Sequence, residues 1–256
     1  NVAFVLIEAG YGFVAGSLAL IADAGHNASD VLSLLLAWGA ALLAKKAATD
    51  KRTYGFRKVT IMASLASAVV LLVALGGIAR EAIGRIAHPK PVEGVVVIAV
   101  AAIGVVINTL TALLFVSGRK DDLNIRGAFL HMAADAGVSL GAVAAGILIK
   151  FTGWLLIDPI LSLLIVVVIF LGTWSLLRDS MNQAIDAVPG HIDMAGIRDH
   201  LAGLEKISQM HDLHVWPLST TEVALTVHLI TPAASLDAEF LPRLQKQLHD
   251  RFGIAH

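Results

Sequence analysis

Residues 19–44 read Ala19-Leu-Ile-Ala-Asp-Ala-Gly-His-Asn-Ala-Ser-Asp-Val-Leu-Ser-Leu-Leu-Leu-Ala-Trp-Gly-Ala-Ala-Leu-Leu-Ala44, and the rest of the chain is best understood outward from them. A helix of this length reaches about 39 Å, more than the roughly 30 Å of a bilayer's hydrocarbon core. Its polar residues do not scatter. Asp23, His26, Asp30 and Ser33 recur every three or four positions and continue into Ala37, while Leu35, Trp38 and Leu42 occupy the far side. That spacing puts one polar or small seam on an otherwise apolar helix. The stretch therefore reads as a membrane-spanning helix whose seam faces protein.

Five further apolar stretches, at roughly 1–17, 59–87, 93–117, 124–149 and 154–177, bring the expected count to six helices. The first is short and starts at Asn1 without an initiator Met or a signal-like n-region, so an upstream continuation is expected. Composition agrees with a membrane protein. The chain is 57% hydrophobic and 15% charged, against about 25% charged in ordinary soluble domains. Its net charge of −1 hides two opposed parts: residues 1–178 carry +4, and 179–256 carry −5 together with seven of the ten histidines. This balance argues against a nucleic-acid binder with a basic patch, and the absence of Cys excludes a disulfide-stapled secreted domain.

Lys and Arg gather in cytoplasmic loops. Here they collect after the second stretch (Lys45, Lys46, Lys51, Arg52, Arg57, Lys58), after the fourth (Arg119, Lys120, Arg126) and at Arg178. Both termini are then cytoplasmic. Arg80 and Arg85 run against the trend and are read as snorkelling from a helix end. Beyond Arg178, His191–Leu204 and Asp237–Phe252 read as helices, the latter with Leu241, Leu244 and Leu248 on one side, and Ile207–Leu218 and Glu222–Thr231 as strands. The fold class is mostly α. A six-helix transmembrane bundle (1–178) precedes a small cytosolic α+β domain (179–256) of helix-strand-strand-helix order, expected to lack its last strand.

The second stretch holds His26-Asn-Ala-Ser-Asp30 and the fifth holds His131-Met-Ala-Ala-Asp135. An i, i+4 pair lies on one helix face about 6 Å apart along the axis. The fifth helix repeats the seam with Asn124, Ala128, His131, Asp135 and Ala142. Counting from opposite membrane faces, Asp30 and Asp135 both lie about 16 Å deep, near the midplane. Two imidazole nitrogens and two carboxylate oxygens make the ligand set of tetrahedral Zn²⁺, and suit Cd²⁺ or Co²⁺ less selectively. A single intramembrane His or Asp is often a helix–helix hydrogen-bonding residue; two matched pairs at one depth point to a site. Glu8, Asn108 and Asp158 suit relay contacts or plain structural hydrogen bonds. The ladder Gly137, Gly141, Ala145 suits close helix packing.

The run Ser17-Leu-Ala-Leu-Ile-Ala-Asp-Ala-Gly-His-Asn-Ala-Ser-Asp30, the His131/Asp135 motif, Arg52-Thr-Tyr-Gly-Phe-Arg57 and His211-Asp-Leu-His-Val-Trp216 together resemble the cation diffusion facilitator family of zinc transporters, over essentially the whole chain. The resemblance implies six helices, a ferredoxin-like or metallochaperone-like cytosolic domain, a homodimer, and export of Zn²⁺ from the cytosol in exchange for H⁺ by alternating access. It implies His26, Asp30, His131 and Asp135 as transport ligands, with His as the first ligand resembling the zinc-favouring branch. The expected setting is a bacterial cytoplasmic membrane, with the metal ion, the bilayer and a second copy as partners and no nucleic acid. The residues support coupling independently, because His and Asp must release protons to bind a metal. The loop from Lys45 to Lys58 has no His and only Asp50, so no further metal site is expected there.

In the tail, a two-residue turn at Ser219-Thr220 would pair residue 218 with 221 and set His211 opposite His228. Trp216, Val223, Leu225 and Val227 would then face the helices, His214 would pack against them, and His211 and His228 would form an exposed pair suited to a regulatory zinc ion or to solvent. The family resemblance carries over to those two positions. His191, His200, His249 and His256 read as surface residues. Two alternatives stand beside transport: an intramembrane metalloenzyme, for which no H-E-x-x-H motif or placed general base is present, and a metal sensor or scaffold. The chain is expected not to be an enzyme.

Overall fold

The computed structural model describes residues 2–116, 123–205, 207–231 and 238–256, with the backbone alone over 123–128. Six helices come first: α1 (Val2–Ala15), α2 (Leu18–Ala44), α3 (Val59–Ala87), α4 (Gly94–Phe115), α5 (Leu123–Thr152) and α6 (Ile157–Ala184). Then follow α7 (Met194–Ala202), β1 (Gln209–Pro217), β2 (Val223–Ile230) and α8 (Phe240–Phe252). Helices α2 to α6 are each long and apolar enough to cross a membrane, and α1 is apolar but has 14 residues. Large apolar side chains such as Phe13, Trp38, Val73, Leu114 and Phe151 are more than half exposed, as befits helices whose outer solvent is hydrocarbon. The protein is a multi-pass membrane protein with a small α+β domain. Arg119 and Lys120 of the loop after α4, the side chain of Arg126 and the expected helix start at Asp237 lie outside the described residues.

Two compact units divide the chain: residues up to Leu34 with Ser67–Trp174, and Leu35–Ala66 with Ser175–His256. In the first, the chain turns from α1 to α2 at Gly16, whose φ of 66° suits glycine. The first amides of α2 would be orphaned in an apolar setting. Asp158, 1% exposed on α6, supplies their acceptor. It accepts from Ser17 Oγ at 2.5 Å, Leu18 N at 2.8 Å and Ala19 N at 3.3 Å. Arg85 does not snorkel, which corrects the reading above: its side chain is 11% exposed, pairs with Glu81 at 3.1 Å, donates to the Gly16 carbonyl and lies 4.0 Å from Asp158. One turn junction thus satisfies a buried carboxylate, a guanidinium and the free end of a helix together.

Helices α4 and α5 approach closely, but not along the expected ladder. Gly137 has open space around it, and Gly141 meets only Leu161 at 3.8 Å. The contact runs through Ser139, Ala142, Gly146 and Ile149, one step round the helix. A Cβ at Gly94 would lie 2.7 Å from the Gly146 carbonyl, and one at Gly146 would lie 2.9 Å from Ile98. Glycine is required there because backbone meets backbone.

In the second unit, Ile192, Ile197, Leu201, Val215, Val223, Phe240, Leu244 and Leu248 form one core between the helices and the two-stranded sheet. Asp193 caps α7 by accepting from Gly196 N at 2.9 Å. Phe240, not Leu241, completes the buried side of α8; Leu241 is exposed. Past α8, Ile254 pairs in parallel with Val223, so the chain end lies along the free edge of β2.

The hairpin differs from the expected one in two compensating ways. Its turn is longer, with Pro217 opposite Val223 and Leu218 N donating to the Glu222 carbonyl at 2.8 Å. The Ser219 hydroxyl accepts from the amides of Thr221 and Glu222, which stabilises this wider turn. A bulge between His211 and His214 then restores one residue, and His211 does oppose His228. Between bulge and turn the faces are inverted: Val215 is in the core, Trp216 is outside that cluster, and His214 is exposed. Asp212 absorbs the extra residue at φ 52°, a left-handed conformation that Asp tolerates.

Replacing Asp158 with Ala leaves Ser17 Oγ and the amides of Leu18 and Ala19 without their acceptor, and takes one of two carboxylates away from Arg85, which keeps Glu81 and the Gly16 carbonyl. It should destabilise the protein by about 3 kcal/mol, read as a lower unfolding midpoint in detergent; an unchanged midpoint would remove the junction's structural role.

Candidate metal centre

The side chains singled out on α2 and α5 converge. His26 and Asp30 share one face of α2 because they are four residues apart, and His131 and Asp135 do the same on α5. The four cross-distances are short: His131 Nε2 to Asp30 Oδ2 3.1 Å, His26 Nε2 to Asp135 Oδ1 3.6 Å, His131 Nε2 to Asp135 Oδ2 3.6 Å and His26 Nε2 to Asp30 Oδ2 3.7 Å. Each imidazole lies as near a carboxylate of the opposite helix as one of its own. The rings meet edge to face, 5.7 Å between centroids.

Those spans can be compared with a coordination polyhedron. His26, His131 and Asp135 each offer a ligand atom within 4.8 Å of the others, and Asp30 Oδ2 lies 3.1 Å from His131 Nε2 and 3.7 Å from His26 Nε2, close to the ~3.4 Å edge of a tetrahedron with metal–ligand bonds of 2.0–2.2 Å. The chemistry of the donor set fits a divalent cation. Exposure is graded: the side chains of Asp135 and His26 are 4% and 19% exposed, and those of Asp30 and His131 36% and 43%. The cluster is therefore sealed on the Asp135 side and open on the Asp30–His131 side. The side chains of Asn124 and Ala128, expected to extend the seam, lie outside the described residues.

Asn108 is a residue that the spacing argument could not rank. It is buried on α4, with its Nδ2 lacking an acceptor among the described residues. The antiparallel register that sets Gly104 against Ser139 carries Asn108 level with Asp135. Glu8 is buried and accepts from Asn27 Nδ2 at 3.3 Å. Asp158 belongs to the α1–α2 junction and not to this cluster.

The tail carries a second, wholly exposed cluster of His211, Asp212 and His228. The histidine rings lie 5.0 Å apart, and the Asp212 carboxylate reaches both, at 3.1 Å from His211 Nδ1 and 3.5 Å from His228 Nδ1. Sequence reasoning missed Asp212 because regular alternation points it into the core; the bulge turns it out. Its hydrogen bond with His211, aided by the charges of the surrounding histidines, holds the carboxyl below the usual range. Of the other tail histidines, His200 is half-buried against Phe252, and His256 packs edge-on against Tyr54.

Comparison with known proteins bears on the whole chain. Residues 1–183 match the family model of the cation efflux transmembrane domain, and residues 189–256 match that of the cation efflux protein cytoplasmic domain. The chain belongs to the cation efflux family. It is 36% identical over 256 residues to the zinc transporter ZitB of Escherichia coli, covering 99% of this chain and 81% of that protein. Against the metal cation efflux system protein CzcD of Cupriavidus metallidurans it is 34% identical over 254 residues, covering 99% and 80%. Against a cadmium, cobalt and zinc/H(+)-K(+) antiporter of Bacillus velezensis it is 35% identical over 258 residues, covering 99% and 82%. As a cation efflux protein the chain is a transporter and not an enzyme, which sets aside the metalloenzyme alternative.

The Asp212 contact gives a pH expectation. Its carboxyl titrates below its unfolded value, so the contact contributes above the ordinary Asp pKa of ~3.9 and is lost as pH falls through the depressed one. Replacing His211 with Ala should move the Asp212 titration, followed by carboxyl NMR, back up toward that ordinary value; an unmoved titration contradicts the contact.

Proposed function

We propose that this cation efflux protein exports Zn²⁺ from the cytosol in exchange for H⁺, holding the ion in transit on His26, Asp30, His131 and Asp135. The observation that carries the reading is the meeting of two imidazole nitrogens with two carboxylates, contributed by two helices, at 3.1–3.7 Å. Two carboxylates neutralise a divalent cation, and the borderline ligand set favours Zn²⁺ while admitting Cd²⁺ and Co²⁺. The names of the relatives point the same way.

The exchange follows from ligand chemistry. Each imidazole must be neutral to offer its nitrogen, so an arriving ion displaces protons and a departing one returns them. Alternating access then needs only that the α2 and α5 pairs open by turns to either side. The membrane part extends to Arg178 and the cytosolic part from Asp179, with both termini in the cytoplasm on the argument of loop basicity. The membrane is a bacterial cytoplasmic one, in keeping with the bacterial relatives. The protein works as a homodimer. The exposed tail cluster of His211, Asp212 and His228 takes a further zinc ion as a regulatory ligand.

In liposomes, purified protein should move Zn²⁺ in exchange for H⁺, driven by a proton gradient directed the opposite way. Asp30→Ala and His131→Ala should each lower the metal affinity by at least the ~10–100-fold typical of losing an outer-shell partner. Binding should weaken as pH falls below about 6.5, where imidazole takes up its proton. Undiminished flux in both variants sinks the site assignment.

A further inference from the structure

One turn along the seam from the four ligand side chains, two carboxyl groups are buried without a cation. Glu8 on α1 is 0% exposed and Asp23 on α2 is 1% exposed. They lie within hydrogen-bonding reach of one another. Each has one oxygen served by a neutral donor: Asn27 Nδ2 reaches Glu8 Oε2 and Ser139 Oγ reaches Asp23 Oδ2, both at 3.3 Å. The other two oxygens, Glu8 Oε1 and Asp23 Oδ1, are sealed from solvent and accept from no donor among the described residues.

The surroundings bring no compensating charge of their own. Helix α4 presents Gly104 to Ser139 and Phe4. Helices α3 and α6 pack Leu71, Leu75, Ile165 and Val166 around Ala19 and Ala22 of α2. The nearest titratable groups are His26 on α2 and Asp135 on α5, both part of the ligand cluster. No Lys or Arg pairs with Glu8 or Asp23 among the described residues. Two ionised carboxylates in contact in such a place carry both a desolvation cost and mutual repulsion. One proton between them removes the repulsion and uses an oxygen left without a donor.

We propose that Glu8 and Asp23 form a proton-binding site separate from the metal ligands, loaded with one proton in this conformation, and that this proton is among those exchanged for the metal. The last part rests on the exchange reading above. The step balances simply. The carboxyl O–H bond breaks as the metal arrives, the proton leaves to water, and the pair goes from −1 to −2 beside a dication. Asp23 precedes His26 by three residues and Ser139 follows Asp135 by four, so the pair is braced to the same two helices that carry the ligands. A dication one turn away repels the proton, and by linkage the proton opposes the dication.

The test uses the full-length protein in detergent micelles with Zn²⁺ as probe, and the variants E8Q, D23N and E8Q/D23N. In the metal-free protein, infrared spectroscopy should show a protonated-carboxyl C=O band that fades on adding Zn²⁺ and is missing from E8Q/D23N. Protons released per Zn²⁺ bound should fall by about one in E8Q. Zinc affinity in E8Q should fall about tenfold near neutral pH and lose part of its pH dependence, because the wild-type pair reaches −2 beside the bound dication whereas the amide–carboxylate pair stays at −1. Glu8→Asp, which keeps the carboxyl, should restore the band. A band that persists in E8Q/D23N overturns the proposal, and so does a proton count that is unchanged in E8Q, which would mark the pair as doubly ionised before the metal arrives. If the wild type binds no zinc, the exchange reading fails, yet the metal-free spectrum still decides whether the pair holds a proton.

Discussion

A charge in hydrocarbon has no water to solvate it, so every ionisable side chain within these helices must be answered by a donor, an opposite charge or a proton. Much of the first unit can be understood from that demand. Asp158 is answered by a hydroxyl, two amides and the Arg85 guanidinium, and in being answered it ties α6 to the start of α2. Asp135, nearly as buried, lies 3.6 Å from each of two imidazoles, one of them on another helix, and its Oδ2 accepts no hydrogen bond among the described residues. The same requirement that restricts charge here also fixes helices in place, because each partner comes from elsewhere in the chain.

Two helices that run in opposite directions and carry the same His-x-x-x-Asp spacing bring unlike groups together as a matter of geometry. Facing each other, the histidine of one stands at the level of the aspartate of the other, so attraction operates across the pair as well as along each helix. Backbone contact between α4 and α5 at Gly94 and Gly146 limits how far α5 can drift. The cluster is thus supported from behind by close packing, while its Asp30–His131 side remains open.

Periodic features are legible in the sequence. The seam on α2, the repeated motif and the core face of β2 all follow from spacing within one element, and spacing is what a sequence displays. Features set between elements are not legible. Nothing local tells which face of α5 meets α4, so spacing favours Gly137 and Gly141 over Gly146. Arg85 reads as a plain helix-end residue because only Glu81 among its partners is local, while Gly16 and Asp158 are remote in the chain. The faces of β1 mislead for a different reason. A wider turn and a bulge each shift alternation by one, and a pattern of period two records neither when both occur.

That cancellation has a consequence for how this tail can change. The five-residue turn and the residue at Asp212 form a matched set, separated by five residues of β1 yet jointly responsible for keeping His211 beside His228. Trimming the turn alone, or deleting Asp212 alone, would slide one strand by a single step and send one histidine of the pair toward the core. Length variation in this hairpin is therefore tolerated only in compensated pairs, and loop length becomes a heritable constraint exerted by a residue outside the loop.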